Sequence, residues 1–522
     1  MTLRIQKSGN RRTFAFLSMV LVIIPLAFAD VTVSVDWNTV KYPVNPLSYS
    51  ICGSYAYQAS QTTNAGYRGG MKYAIGQPNG STALLRLHRQ AIVGAWSPGG
   101  TWNASTVTSA LQPLINDGFV IMIDFDRAIG GNGMDIAPAD AANLVRIVNV
   151  TGKLGVKYWE IFNENGGDGA SRGTQVKACC QAMKAVDSTI KVGGPALSYL
   201  DQNFFSSFAT TGLPDIDFVT FHGYQGGSTS SVSDATIYDW AWGMGSGIKQ
   251  MRTMLDQKSP NKHISIFWDE YNISWDWTVV DPRTTSNKGG VFSALAMAAT
   301  VDNGGDVSNR WNESEPSFAV MTSAGAPYTV AHVYHLFNQL CYGSEVTATT
   351  SDAKSVVAFP VKDGAHHTLV LINRAATQQT ANVTFTGWNP TASLHRYQVW
   401  TRNGIDSSNA TWTSGSNAVV LPDNSVTFLT LSDGTPVKPQ IKQGLPLSTM
   451  NGPVTVGIYS LSGQRLSTFI VANSKSGLSV DALVQSAQRS LPQAIARGAY
   501  FIRLKSGAQQ LYRGPFVSQE HN

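Results

Sequence analysis

Cysteine is scarce in this chain: four among 522 residues, at Cys52, Cys179, Cys180 and Cys341. Adjacent Cys179 and Cys180 cannot easily pair with each other, and no metal-ligand spacing with histidine occurs. The four thiols therefore read as small buried apolar side chains, and no metal or cofactor is expected. Long apolar runs are also lacking. The run Phe14–Leu26 holds about 13 residues and is interrupted by Pro25, short of the ~20 that a membrane span needs. No G-x-G-x-x-G follows the first strand-like segment, so an open dinucleotide-binding sheet, the competing architecture, lacks its fingerprint.

Net charge is the last shortage. The formal +5 includes Arg4, Lys7, Arg11 and Arg12, with no acid before Asp30, so the remaining chain carries only +1. Within it, Gly434 to Asn522 holds nine Lys/Arg against Asp481 and Glu520, a net of +7, and residues 30–433 sum to −6. The basic residues of that tail are scattered among apolar, strand-like positions rather than clustered with stacking aromatics, so no nucleic-acid partner is expected.

The four early basic residues, the apolar run behind them and Ala27-Phe28-Ala29 form a secretory leader over residues 1–29. A secreted or cell-surface location follows as an expectation. Seven Asn-x-Ser/Thr sequons occur, two of them at Asn272 and Asn312 beside residues assigned below to the site. Glycans there would obstruct a substrate, which points to a bacterial source without sequon glycosylation.

What the sequence does have is a repeating texture. Val31 to Trp37 alternates apolar and polar, as a half-buried edge strand does, and residues 30–45 are expected to join a sheet elsewhere. Then short apolar runs alternate with amphipathic helices: strands over Leu47–Ile51, Leu84–His88, Phe119–Phe125, Val156–Glu164, Ile190–Ala196, Asp217–Tyr224, His263–Tyr271 and Asp306–Trp311. The expected helices are Ser109–Asp117, Pro138–Gly152, Gly173–Asp187, Gly247–Lys258, Gly289–Asn303 and a last one over Pro327–Leu340. Eight strand–helix units predict a closed (β/α)₈ TIM barrel over residues 46–343. Strands separated by turn residues then predict an all-β sandwich over 344–433. Pro436, Pro439 and Pro446 mark a linker over 434–453, and a small C-terminal β-domain fills 454–522.

Two of the eight strands end in acids. Val156–Glu164 runs through Glu160-Ile161-Phe162-Asn163-Glu164 into Gly166-Gly167, and His263–Tyr271 carries Asp269-Glu270. As fourth and seventh strands they face each other across the barrel mouth, where such barrels place their chemistry. Two opposed carboxyl groups are what glycoside hydrolysis requires, one to protonate the leaving oxygen and one across the anomeric carbon. An acid at a strand end can equally be a cap or an ion-pair partner. Glu160 lies an even number of residues before Glu164, so it points the same way, deeper in the barrel, and reads as structural.

These residues resemble the retaining (β/α)₈ glycoside hydrolases of clan A, whose fourth strand ends in Asn-Glu and whose seventh carries a Glu. The stretches around Glu164 and Glu270 look most like the arabinofuranosidase, xylosidase and related hemicellulase branches, and the resemblance covers residues 31–432. It implies that Glu164 is the acid/base and Glu270 the nucleophile, with Asn163 bonding the sugar 2-hydroxyl. It also implies substrate contacts from His222 and Tyr224 in Phe221-His222-Gly223-Tyr224, a bracing role for Arg86, and a sugar platform at Trp311. His222 could instead be a satisfied core histidine, and Arg86 could pair with Asp124 or Asp126. Trp275 is a further substrate-binding candidate, one of a set with Trp96, Trp102, Trp240, Trp242, Trp277 and Trp311 expected near the mouth, with ordinary core as the alternative for half of them.

The activity so implied is double-displacement cleavage of a hemicellulose- or β-glucan-type polysaccharide or oligosaccharide. An exo-acting α-L-arabinofuranosidase or β-xylosidase is the alternative, and a non-catalytic carbohydrate-binding protein the reading from another class. Arg86 is followed by Leu87-His88-Arg89 where the arabinofuranosidase branch has Pro-Gly-Gly, and Phe162 and Asn165 also depart from that pattern. Tyr459-Ser460-Leu461-Ser462-Gly463-Gln464-Arg465 resembles the C-terminal sorting modules of secreted Gram-negative enzymes, with Gln464 inserted, which implies a secretion machinery as partner. A carbohydrate-binding or spacer β-domain is the alternative for this tail.

Overall fold

The computed structural model describes residues 30–431, apart from 130–134 and a few other short stretches, and beyond them the strands within 454–517. The leader (1–29) and the linker (434–453) lie outside the described residues. Eight parallel strands close a barrel: β2 (Tyr49–Cys52), β3 (Leu84–Leu87), β4 (Val120–Phe125), β5 (Tyr158–Ile161), β6 (Lys191–Leu197), β7 (Phe218–Gly226), β8 (Ser265–Ser274) and β9 (Val307–Arg310), with β9 pairing back to β2. All eight coincide with the expected strands. Among the described residues no helix is long and apolar enough to cross a membrane.

Period-two alternation stacks the barrel interior in layers. The lowest is apolar and joins Leu84, Met122, Phe218, Phe267 and Val307, with Tyr158 packed against them and Phe218 and Phe267 stacked at 4.6 Å. Two residues further along the same strands come Arg86, Asp124, Glu160, Thr220, Asp269 and Asn309, all buried. A polar layer this deep is costly unless its members satisfy one another. Apolar packing below excludes water from beneath it, and the strand ends above open on the mouth.

Several expected elements differ in length, among them the helix over Ala104–Asn116 and the one over Gly169–Val186, which both begin earlier than expected. The helix expected over Gly247–Lys258 runs Asp234–Lys258, capped by Ser233. Gly243, Gly245 and Gly247 read as helix breaks in sequence, but Gly245 lies where a Cβ would strike the Asn303 side chain, so close packing explains the glycine there. Trp240 and Trp242 therefore sit on a helix against the core and not on a mouth loop. Trp96 and Trp102 are also buried. The strand expected to reach Glu164 stops at Ile161, for the backbone reason given below.

β1 (Val31–Pro43) leaves the barrel and enters a nine-stranded sheet with β10 (Ser344–Thr350), β11 (Val356–Asp363), β12 (His366–Asn373), β13 (Gln379–Thr386), β14 (Leu394–Val399), β15 (Asp406–Ala410), β16 (Asn417–Leu421) and β17 (Ser425–Leu431). Its order is β15-β14-β17-β12-β11-β10-β1-β13-β16. Leu394 near one edge and Val419 and Leu421 at the other share one apolar core, so the sheet folds over on itself as a sandwich. Its other face joins the core of the barrel helices through Phe359, Val370 and Phe428. At the C-terminus, β18 (Val454–Tyr459), β19 (Arg465–Val471), β20 (Ala499–Ser506) and β21 (Gln509–Val517) form an antiparallel sheet in the order β19-β18-β20-β21.

Candidate active site

The loop after β5 is made by two left-handed residues. Phe162 has φ 75° and Glu164 φ 52°, a region that non-glycine residues rarely enter and that cannot continue a strand. Neighbouring strands hold it there: the Phe162 N–H donates to the Phe125 carbonyl at 3.0 Å and the Glu164 N–H to the Ala196 carbonyl at 2.8 Å. The Phe162 ring is buried while the Glu164 side chain is 46% exposed, so the conformation turns the carboxyl out into the mouth. Glu160, still on the strand, is fully buried and bonds Arg86 Nε at 2.7 Å. Its structural reading stands, although a broken strand, not simple parity, separates it from Glu164.

On β8 the device is a bulge. Phe221 pairs with Trp268 but His222 pairs with Glu270, so β8 carries one extra residue. Alternation from Phe267 brings Asp269 inward, and the bulge brings Glu270 inward as well. Glu270 is 5% exposed. Its Oε1 accepts from Arg86 Nη1 at 2.6 Å and its Oε2 from the Tyr224 hydroxyl at 2.6 Å.

His222 joins the two acids. Its Nδ1 is 2.9 Å from Glu164 Oε1 and 3.5 Å from Glu270 Oε2, and one donor atom from each of Glu164, His222 and Glu270 falls within 4.8 Å of the other two. Such a trio could in principle hold a cation. Here both Glu270 oxygens are engaged, and the guanidinium beside them repels a metal. Arg86 also donates from Nη2 to Asn163 Oδ1 at 2.9 Å, which fixes the oxygen side of that amide on the guanidinium. Arg86 thus meets Glu270 and, at 3.5 Å, Asp124; Asp126 instead pairs with Arg127.

Electrostatics follows from one guanidinium facing four buried acids. Burial alone would raise Glu270, but His222, Arg86 and the Tyr224 hydroxyl outweigh it and hold the carboxyl down at about 2. Burial pushes Asp124 and Asp269 well above the ordinary carboxylate range despite the Arg86 charge. His88 bonds Asp124 and is lowered by burial and Arg86 to about 4. Burial and the Glu270 charge raise Tyr224 well above its usual value, so it remains an O–H donor.

Trp311 closes β9 and lies 5.7 Å, ring to ring, from His88. His88 was not singled out from sequence, though it stands two residues after Arg86 and therefore on the same face. Asp269 was hidden by its neighbour Glu270, and the bulge that reconciles them leaves no sequence mark. Trp275 is not in contact with this cluster; it stands on the loop beyond β8 and is 60% exposed. Asn272 and Asn312 are fully buried, with Asn272 bonded to the Trp311 carbonyl and Asn312 to Glu315, so neither sequon is open to a glycan in the folded chain.

Residues 173–372, from the helix after β5 through β12, match glycosyl hydrolases family 39. No curated protein matches the chain. Solved structures share its fold: a family 51 α-L-arabinofuranosidase from Bifidobacterium longum, at TM-score 0.61 and 14% identity over 77% of this chain and 99% of that one. A β-xylosidase from Caulobacter crescentus gives 0.57 and 16% over 78% and 99%. A family 30 endoxylanase from Clostridium papyrosolvens gives 0.56 and 16% over 77% and 100%. With that family match laid over more than half of its closed barrel, the chain is a glycoside hydrolase.

Proposed function

We propose that the chain is a secreted, retaining glycoside hydrolase with Glu270 as nucleophile and Glu164 as acid/base. The observation that carries this reading is the separation of the two carboxyls. A Glu164 oxygen lies within 4.8 Å of a Glu270 oxygen, which fits the ~5–5.5 Å of retaining enzymes and leaves too little room for the water that the ~6.5–9.5 Å of inverting ones admits.

A Glu270 oxygen attacks the anomeric carbon as the glycosidic C–O bond breaks, and the departing oxygen takes the Glu164 proton. Water then enters on the vacated side and gives its proton to Glu164; its oxygen bonds the anomeric carbon and the ester to Glu270 cleaves. Arg86 and Tyr224 keep Glu270 ionised for the attack. Their hold on both oxygens also aims the carboxylate. His222 Nδ1, 2.9 Å from Glu164 Oε1, steadies that carboxyl, the Asn163 amide offers donors to the sugar 2-hydroxyl, and Trp311 supplies an apolar face to the ring.

The substrate class is hemicellulose- or β-glucan-type polysaccharide or oligosaccharide. The family match and the endoxylanase, β-xylosidase and arabinofuranosidase named among the structures of like fold support that class. Secretion from a bacterial cell rests on the leader pattern of residues 1–29 and on the sorting-module resemblance of the C-terminal domain. Incubation with arabinan, xylan, mannan and β-glucan, with NMR of the first-formed anomer, tests the function. Hydrolysis with retention is expected; inversion would overturn the double displacement.

A further inference from the structure

Half of the large apolar side chains that the described residues expose lie in one stretch of six. Trp275 is 60% exposed, Trp277 72%, Val279 39% and Val280 56%, four of eight such residues. Exposed apolar groups scattered singly need no explanation, but a cluster containing two indoles marks a binding surface.

Its place in the barrel says what it binds. β7 and β8 stay paired to Gly226 and Ser274, four residues beyond Glu270, so this ribbon carries the chain roughly 13 Å along the strand past Glu270 at ~3.3 Å per residue. β9 and β2, next along the barrel, end at Arg310 and Cys52, at the level of the mouth. The exposed stretch caps the ribbon, a continuation of the strand that carries Glu270.

The stretch is built, not loose. The Trp275 N–H donates to the Gly226 carbonyl at 2.9 Å. Its ring lies on Gly227, where a Cβ would come within 2.6 Å of Cζ2, so only glycine admits the indole. Asp276 accepts from the Thr278 N–H at 2.8 Å and its hydroxyl at 2.6 Å, and Ser317 donates to the Trp277 carbonyl at 3.1 Å. Holding two indoles in water by four hydrogen bonds opposes the hydrophobic effect, and a ligand that covers them restores it. Sugars offer flat C–H faces to indoles and hydroxyls to a carboxylate such as Asp276.

We propose that Trp275 and Trp277 form a distal glycan subsite that selects extended polysaccharide chains, so that the enzyme acts on polymers in preference to terminal sugars. The inference rests on Glu164 and Glu270 being the catalytic pair. The ribbon holds the indoles farther from that pair than the two rings flanking a cleaved bond extend. Only an oligomer can touch both.

The test compares the full chain with Trp277→Ala and with the double variant Trp275→Ala/Trp277→Ala. The probes are an aryl glycoside and xylo- and cello-oligosaccharides from dimer to hexamer, with melting temperatures taken alongside. In the native chain kcat/KM should climb as the oligomer becomes long enough to reach the loop. In the variants that climb should flatten, the loss on the longest oligomer exceeding the loss on the aryl glycoside by about tenfold, equivalent to ~1.4 kcal/mol. Oligomer binding should also quench native indole fluorescence more than variant fluorescence. Equal losses on short and long substrates, no loss on either, or a native dimer that the double variant dissolves without any length-dependent change would each overturn the subsite. Failure of the catalytic assignment reads differently: hydrolysis would survive Glu270→Gly while the dependence on Trp277 persisted.

Discussion

Asp269 and Glu270 are consecutive on β8, yet both reach the guanidinium of Arg86, with Asp269 Oδ2 2.5 Å from Nε and Glu270 Oε1 2.6 Å from Nη1. Regular strand geometry forbids this, since neighbours point to opposite faces. The bulge against His222 permits it, and the consequence is that one buried cation serves four acids. Arg86→Met should therefore destabilise strongly, by about 3–5 kcal/mol at pH 7, the usual cost of stripping a buried pair of one partner. The loss should shrink as pH falls and the orphaned carboxyls take up protons. Melting curves at neutral and acidic pH check this; a loss that does not depend on pH would mean that Arg86 matters for packing and not for charge.

The Tyr224 hydroxyl is the second hold on Glu270. With Glu270 held at about 2 in the fold and near 4.3 when unfolded, its ionisation stabilises the fold above pH ~4.3, and that contribution is lost as pH falls from there through about 2. Tyr224→Phe removes one donor and raises the folded value toward the unfolded one. The acid limb of kcat/KM should then move to higher pH, and turnover should fall by roughly tenfold or more, in line with ~1.5–3 kcal/mol for a hydrogen bond to a charged group. An unmoved acid limb would separate Tyr224 from the ionisation of Glu270.

Asp269 is a further partner of the Arg86 guanidinium. Burial pushes its carboxyl well above the ordinary range, and its Oδ1 accepts from the Asn309 amide at 2.8 Å while its Oδ2 faces Arg86 Nε. Asp269→Asn keeps the shape and the acceptor for Asn309, but its amide nitrogen then sets a donor against the Nε–H. Its melting temperature at pH 7 should fall below native, by less than the drop for Arg86→Met, since Arg86 keeps its other three acids. An unchanged melting temperature would show that Asp269 contributes no charge to Arg86.

The barrel was legible because its signal is periodic. Each strand is a short apolar run bounded by turn residues, and the layers below the site follow alternation from Leu84 to Arg86 and from Phe267 to Asp269. Glu164 and Glu270 were legible as acids standing at the ends of apolar strands, whereas Arg86, His222 and Tyr224 were marked only by the resemblance to the clan. The breaks in regularity were not. Nothing in Glu160-Ile161-Phe162-Asn163-Glu164 announces left-handed residues at Phe162 and Glu164, because neighbouring carbonyls on β4 and β6 impose them. The extra residue at Asp269 is invisible without its partner strand. Glycines at 243, 245 and 247 mimic a helix end, although 245 and 247 serve close packing against Asn303 and Leu200, which is why Trp240 and Trp242 were sought at the mouth. Both departures that sequence could not show, the left-handed turn and the bulge, are what turn the two carboxyls toward each other.

The division of labour between those carboxyls can be read separately from either one's importance. If Glu164 supplies the proton to the leaving oxygen, Glu164→Ala should slow cleavage of unactivated oligosaccharides by several orders of magnitude, since general acid catalysis contributes ~10²–10⁴-fold. Aryl glycosides whose leaving groups depart as stable anions need little protonation and should lose far less in the first step. Glu270→Gly should abolish turnover of every substrate, because no group is left to attack, and azide admitted to the space should restore part of it on activated substrates with an azide adduct as product. Equal losses on both substrate types in Glu164→Ala would remove it from the acid role. Substantial activity in Glu270→Gly without azide would leave the close approach of the two carboxyls without its mechanistic meaning.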